Sequence, residues 1–258
     1  MAVSPRTARR APDARRRPRR SRERDIVIAT RALFDERGMQ DAPIDEIARA
    51  VGINKALIYR HFSSKEELFV LTVTLYLDDL AERLEGVDAS AEPVARLREG
   101  WERYADFCLE YPAFLDCALS LMRRPAAELR ERMSEAVWFR LGQAMSACLG
   151  PLERILADGV RSGAFTIDDP AFVANRLYVQ TLGTMHLARV GVGVRQAAPG
   201  IPDPFPVAAA QVRDACVEDA LAAVGARARR QPPGRSPSVA VPEPARQRRA
   251  TRPRWFRR

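Results

Sequence analysis

Apolar residues between positions 22 and 84 recur at every third or fourth position, which is the spacing of one face of an α-helix. The first such face comprises Ile26, Ala29, Thr30, Leu33 and Phe34, and the second comprises Ile44, Ile47, Ala48 and Val51. Gly38 and Gly52 stand where these helices would end, whereas Asn54 and the Ser63-Ser64 pair stand where further helices would begin. The pattern therefore predicts helices from Arg22 to Gly38, at 44–51 and at 54–60, and a fourth that continues through Leu84.

The same periodicity continues to residue 224. It predicts helices at 91–110, 112–123, 125–148, 170–194 and 206–224, with Gly150-Pro151 breaking or kinking a continuation of the third of these to residue 162. The segment 195–206 contains four prolines and is predicted to be a rigid loop. No strand is predicted anywhere, so the expected fold class is all-α.

Charge is distributed unevenly along the 258 residues. The net charge is +9, but residues 1–21 contribute +7 and residues 226–258 contribute +10, which leaves −8 for the part between them. Both ends are rich in Arg and Pro and lack periodicity, so they are predicted to be a disordered arm and a disordered tail. An acidic body with two basic ends predicts that the chain binds any polyanion through a local surface or through flexible arms, because the fold as a whole is not basic.

The remaining composition argues against several kinds of site. The four cysteines lie far apart and form no C-x-x-C pair, so they are predicted to be buried thiols of a protein in a reducing cytoplasm. Only His61 and His186 are available as imidazole ligands, which argues against a zinc site, and no cofactor is predicted. The longest uncharged runs have 12 residues, short of the ~20 that span a bilayer, so no contact with a membrane is predicted.

Two of the predicted helices, 44–51 and 54–60, are joined through Gly52 and have the dimensions of a helix-turn-helix. The second helix of such a motif enters the major groove of DNA, with an apolar inner side and an outer side of hydrogen-bond donors. The expected outer side comprises Asn54, Lys55, Tyr59, Arg60 and His61. Of the 42 basic residues, only Lys55 and Lys65 are lysines, and both fall in this motif or at the start of the next helix.

Residues 22–70 contain the three stretches I-V-I-A-T-R-A-L-F-D-E-R-G, I-D-E-I-A-R-A-V-G-I-N-K-A-L-I-Y-R-H-F and S-S-K-E-E-L-F. Together they resemble the DNA-binding domain of TetR-type transcriptional regulators. The resemblance implies an all-helical homodimer whose first three helices bind double-stranded operator DNA. It also implies a base or phosphate contact for Lys55 and phosphate contacts for Tyr59, His61 and Lys65. The candidate DNA-binding residues are Asn54, Lys55, Ala56, Leu57, Tyr59, Arg60, His61 and Lys65, of which Leu57 could contact a thymine methyl group.

The resemblance divides the chain into an arm at 1–21, a helix-turn-helix domain at 22–66, a helical ligand-binding and dimerisation domain at 67–225 and a tail at 226–258. The candidates to bind a small-molecule effector are large apolar residues with a few polar groups: Trp101, Tyr104, Phe107, Phe114, Trp138, Met145 and Tyr178. Ordinary core packing is the alternative for each of them. Small residues in the last two helices suggest a four-helix dimer interface, although an internal core would look similar. These small residues are Ala174, Gly183, Ala188, Ala208, Ala209, Ala220 and Ala223, and they lie beside Val179, Leu182, Val212 and Leu221.

The function predicted from these features is a cytoplasmic, dimeric, ligand-responsive transcriptional regulator that binds a palindromic operator as a repressor. One alternative is an architectural protein that coats DNA without sequence preference through its Arg-rich ends. A second alternative, a helical enzyme, is disfavoured because the sequence offers no paired nucleophile and base, no glycine-rich phosphate loop and no metal-ligand spacing.

Overall fold

The structure is a computed structural model that describes residues 16–38 and 43–225, with side chains described from Ser21 onward. The predicted tail at 226–258 and the predicted arm up to residue 15 lie outside the described residues. Ten helices and one two-stranded sheet lie in the part that is described. The helices are α1 (Arg16–Arg37), α2 (Ile44–Val51), α3 (Lys55–His61), α4 (Lys65–Glu85), α5 (Pro93–Glu110), α6 (Pro112–Met122), α7 (Ala126–Glu131), α8 (Glu135–Arg161), α9 (Pro170–Val190) and α10 (Ala209–Ala223), and the strands are β1 (Val192–Ala198) and β2 (Ile201–Pro206).

Short polar side chains determine where several helices begin. Each accepts a hydrogen bond from the backbone N–H three residues later, which satisfies one of the unpaired donors of the first turn. The bonds run to Asn54 from Leu57 (2.8 Å), to Ser64 from Glu67 (3.0 Å), to Ser134 from Val137 (3.4 Å) and to Asp169 from Phe172 (2.9 Å). The predicted all-α class and the predicted starts of the third and fourth helices are confirmed.

The segment predicted as a rigid loop is a β-hairpin, and that prediction was wrong. Strand β1 pairs antiparallel with β2, in which Val192 faces Pro206 and Val194 faces Pro204. The three prolines of β2 occupy alternate positions, so the N–H groups of the intervening residues remain available for the ladder. Gly200 takes a φ of +77° in the connecting turn.

Several helix boundaries also differ from the predictions, and the helix predicted at 170–194 ends at Val190, before β1. Helix α1 begins at Arg16, so the last residues of the predicted arm are helical. Its Pro18 falls in the first turn, where no intrahelical N–H bond is lost. Helix α8 continues through Pro151, whose ring is buried in the core, and the segment that precedes Ser134 forms the separate short helix α7.

Helices α1, α2 and α3 enclose a small apolar core that is continuous with that of the body. Ile26, Ile47, Ile58 and Phe62 are at most 2% exposed in this core, whereas Val51 is only half-buried. Helix α4 then packs along α8 in the body, so one continuous helix joins the two regions. Contacts between α1 and α6 provide a second connection.

Candidate nucleic-acid interface

The turn between α2 and α3 has the geometry that a helix-turn-helix requires. Gly52 ends α2 with a φ of +69°, a conformation that L side chains rarely adopt. Its N–H lies 3.1 Å from the carbonyl oxygen of Arg49, and the N–H of Ile53 donates to the carbonyl of Ala48 at 2.9 Å. The side chain of Asn54 then caps α3. Together, the two backbone bonds and this cap fix the angle between the two helices.

Burial on one side of α3 determines which side chains face outward. Ile58 is 1% exposed against α1 and α2, whereas Tyr59 is 47% exposed. Asn54, Lys55, Ala56 and Arg60 are also exposed, and Leu57 is half-buried. The structure therefore brings together on one outer surface an amide, two cations and a phenol, which are groups that hydrogen-bond to bases and phosphates.

Lys55 is held only weakly in the free protein. Its Nζ lies 3.3 Å from Oδ2 of Asp45, and the two side chains are 51% and 64% exposed. An exposed ion pair of this kind contributes about 0–1 kcal/mol. The ammonium group can therefore leave Asp45 at little cost when a phosphate or a base edge is offered.

His61 is placed differently from the other candidates, because its side chain is only 11% exposed and faces α1. Its Nδ1 lies 3.5 Å from Oε1 of Glu23. The residue follows buried Ile58 by three positions, so helical geometry turns it toward the inner side. That spacing was available in the sequence, where His61 was predicted on the outer side.

Lys65 begins α4 and is exposed. Within the described residues its ammonium group has no carboxylate at ion-pair distance. A cation in the first turn of a helix is disfavoured by the helix dipole, so the described residues give this charge no stabilising contact.

Glu67, also in the first turn of α4, was predicted to form a capping box with Ser64, but its contact with Ser134 of the body was not predicted. The residue is 6% exposed, and its carboxylate accepts hydrogen bonds from the Ser63 N–H at 2.6 Å and from the Ser134 hydroxyl at 2.5 Å. Burial raises its pKa, but the bonds from Ser134 and Ser63 outweigh this effect and leave the pKa lower than usual. The Ser64 hydroxyl donates to the carbonyl oxygen of Arg132 at 3.0 Å, so two bonds tie the start of α4 to the connection between α7 and α8.

The seven candidates for effector binding pack mainly as core. Trp101 donates through Nε1 to the Thr181 hydroxyl at 2.9 Å. The Tyr104 hydroxyl donates to the backbone carbonyl of Tyr178 at 3.2 Å, and the two rings stack with centroids 5.5 Å apart. Phe107 and Phe114 contact each other at 5.1 Å in a second group, and Trp138 and Met145 are half-buried on α8.

A cavity of about 310 Å³ lies at the junction between the helix-turn-helix region and helices α6 and α7. None of the seven predicted effector residues lines it. Its walls are Thr30, Phe34, Ile44, Ile47, Lys65, Glu66, Leu68, Phe69, Ser120, Leu121, Arg124 and Leu129. Sequence reasoning could not have found it, because its walls come from five helices and the segment after α6.

The outer face of α9 exposes four large apolar residues, Phe172 (63%), Val179 (49%), Leu187 (42%) and Val190 (56%), among polar residues that include Arg176 and His186. Several residues predicted for a dimer interface lie instead in the protomer's own core: Ala174, Leu182, Val212, Ala220 and Leu221. Gly183, Ala208 and Ala209 are exposed as an interface would require, and Ala188 and Ala223 are half-buried.

The four cysteines are buried, as predicted. Burial raises the pKa of Cys216 to about 11 and that of Cys148 to about 12, so these groups are neutral thiols at physiological pH. Within 16–38 and 43–225, no cluster of three or more His, Cys, Asp or Glu side chains is placed to hold a metal ion. No helix of that part is both long and apolar enough to cross a membrane.

Residues 26–71 match the model of a family described as bacterial regulatory proteins, tetR family. The chain is 34% identical over 93 residues to the HTH-type transcriptional activator FasR of Mycolicibacterium smegmatis, which covers 36% of this chain and 42% of FasR. It is 26% identical over 161 residues to the uncharacterized HTH-type transcriptional regulator YhgD of Bacillus subtilis, covering 61% of this chain and 81% of YhgD. A crystal structure of RolR in complex with resorcinol has a TM-score of 0.59 at 16% identity, covering 82% of this chain and 91% of RolR.

The chain thus spans less than half the length of FasR, and the likeness to RolR is one of fold. The matched residues 26–71 coincide with the region whose three motifs carried the resemblance stated from the sequence.

Proposed function

Because this chain belongs to the TetR family of transcriptional regulators, we propose that it binds a palindromic operator as a homodimer in the cytoplasm and represses transcription until a small molecule releases it. The observation that carries this proposal is the outer surface of α3. Lys55, Tyr59 and Arg60 are exposed there on a helix whose opposite side is fixed by buried Ile58.

In this proposal α3 enters the major groove with its amino-terminal end toward the bases. Lys55 contacts a base edge or a phosphate, and Tyr59 and Lys65 contact phosphates. Asn54, Ala56 and Leu57 lie at the same end, where Leu57 is suited to a thymine methyl group. His61 is placed to hold α3 against α1, so its contribution to a phosphate contact would be smaller than that of Tyr59.

The four exposed apolar residues of α9 support the homodimer. Phe172, Val179, Leu187 and Val190 are 42–63% exposed, which is unusual for four large apolar residues on one helix of a stable protomer. A twofold contact through α9, completed by α10, would set two recognition helices ~34 Å apart, or slightly more, on two halves of a palindrome.

Release by an effector follows from differential affinity. A molecule that binds the body more tightly in a state with a different recognition-helix spacing shifts the population away from the DNA-bound state. The solved RolR complex holds resorcinol, a small aromatic molecule, and this supports a small effector here. FasR is named an activator, so the sign of regulation is the part of the proposal that a reporter assay must decide.

The test is selection of DNA fragments by the purified full-length chain, followed by affinity measurements on the selected sequence. Lys55→Ala and Tyr59→Ala should each weaken specific binding by about 1–3 kcal/mol at unchanged helicity. Arg154→Ala, a change of an exposed cation on α8, serves as the control. Selection of no preferred sequence would instead support an architectural protein, and unchanged affinity in both variants would contradict the assignment of α3.

A further inference from the structure

We propose that the junction cavity, defined by the twelve wall residues given above, binds a small amphipathic anion such as a carboxylate with an aliphatic or aromatic tail. The site is separate from the aromatic residues of the body. Binding there is argued from the cavity alone, and only its effect on DNA rests on the proposed function.

The floor of the cavity is apolar and comes from both regions of the chain. Phe34, Ile47 and Leu68 are at most 5% exposed, and they contribute side chains from α1, α2 and α4. Leu129, 6% exposed, adds an apolar wall residue from α7. A volume of about 310 Å³ is at the lower end of the range for small-molecule sites, so it suits a tail of a few carbons rather than a large cofactor.

The rim of the cavity is cationic. Lys65 has no carboxylate partner among the described residues. Arg124 reaches the single rim carboxylate, Glu66, only at 3.9 Å, and Glu66 is shared with Arg132 at 3.6 Å. Among the described wall residues, the rim therefore carries two cations against one carboxylate, beside an apolar floor. This combination favours a ligand with an anionic head and an apolar tail over a neutral or cationic one.

The position of the site explains how occupancy could reach the DNA. Lys65 lines the cavity and is also the residue proposed to contact a phosphate at the start of α4. A carboxylate bound at the rim competes with that phosphate for the same ammonium group. The tail would at the same time lie between α2 and α7, so the ligand would fix the distance between the helix-turn-helix region and the body.

The experiment uses the full-length chain with octanoate as the probe and octan-1-ol as its neutral analogue. Methyl NMR of isoleucines should show octanoate shifting Ile44 and Ile47, which line the cavity, while Ile155 of α8 is unaffected. Octan-1-ol should bind more weakly. No shift at Ile44 and Ile47 up to millimolar octanoate, or equal affinity for the two probes, would overturn the proposal.

A charge series at Arg124 tests the rim without touching Lys65. Octanoate affinity should fall by about two- to fivefold in Arg124→Gln, as expected for a half-exposed charge contact, and further in Arg124→Glu. Octan-1-ol affinity should not follow the series. Arg130→Gln on α7, an exposed cation outside the cavity lining, is the matched control. Equal losses in the Arg124 and Arg130 variants would overturn the rim assignment.

DNA binding is measured separately, so the two proposals can fail independently. If octanoate binds at Ile44 and Ile47 but the chain selects no DNA sequence, the proposed function fails and the anion site stands. If the chain binds an operator and octanoate causes no shift at the cavity, the anion site fails and the proposed function stands.

Discussion

Replacing Glu67 with Gln should loosen the connection between the helix-turn-helix region and the body. The ionised side chain accepts hydrogen bonds from the Ser63 N–H at 2.6 Å and the Ser134 hydroxyl at 2.5 Å while 6% exposed. The glutamine amide keeps one acceptor oxygen, but its NH₂ group must face the second donor. Ser134 can rotate its hydroxyl to accept that NH₂, so the change removes one charge-assisted bond.

Hydrogen bonds to charged groups contribute about 1.5–3 kcal/mol, so Glu67→Gln should destabilise the fold by about that amount. For a chain of this size each kcal/mol lowers Tm by about 2–4 °C, so Tm should fall by about 3–12 °C at pH 7. Circular dichroism melts measure the shift. Glu82→Gln, the same change at an exposed position of α4, is the control and should leave Tm nearly unchanged.

The pH dependence gives a second readout. The pKa of Glu67 is lowered from its usual 4.5 in the folded state, so its ionised form stabilises the fold fully above that value. The contribution is lost as pH falls through the lower folded-state pKa, where the carboxyl becomes protonated. The gap in Tm between wild type and Glu67→Gln should therefore narrow in acid. Coincident melts at pH 7, or a gap that does not narrow, would refute the role of this carboxylate.

Three further changes test other parts of the structure. Val179→Glu puts a charge on the outer face of α9 and should convert the proposed dimer into a folded monomer by analytical ultracentrifugation; Gln143→Glu, at an exposed position of α8 outside the proposed interface, is a control for charge alone, and a dimer that survives Val179→Glu would contradict the α9 interface. Gly52→Ala should cost about 1–2 kcal/mol of stability, because the position has a φ of +69° and no neighbour within 4 Å, so only conformational strain acts; Gly52→Asn should cost less, and equal melting of all three proteins would contradict the strain. The four buried thiols should react with a thiol reagent only in denaturant, and rapid labelling of the native chain would contradict their burial.

The amino-terminal half of the architecture could be predicted from sequence because its determinants are local. Asn54 and Ser64 are cap residues within three positions of the N–H groups that they bind, and Gly52 ends α2 by its own backbone freedom. The hairpin was not predicted because its determinant, the pairing of two strands, is not local. Prolines usually argue against a strand, and although their alternate spacing is visible in the sequence, only the pairing register shows which residues of β1 they face.

Side-chain placement was harder to predict than helix placement. The inward turn of His61 follows from its spacing to Ile58, whereas the helix-turn-helix pattern predicted it on the outer side and the family resemblance implied a phosphate contact for it. Trp101 and Tyr104 were selected as large amphipathic groups, yet their polar atoms already bond Thr181 and the Tyr178 carbonyl. Those partners lie on α9, distant in sequence, and no local pattern in α5 identifies them.

The first turn of α4 takes part in three different contacts of the structure. Lys65, Glu66 and Glu67 are consecutive, and a rotation of ~100° per residue sends them in three directions. Lys65 faces solvent and the cavity, Glu66 faces the arginines that follow α6 and α7, and Glu67 bonds Ser134 at the start of α8. One helical turn therefore joins the proposed phosphate contact, the rim of the cavity and the anchor to the body. A ligand that uses any of these contacts changes DNA affinity only by the difference between its affinities for the DNA-bound and the DNA-free states of the chain. Because Glu67 holds the turn in place, the Glu67→Gln variant should show a weaker effect of octanoate on operator binding even where octanoate itself still binds.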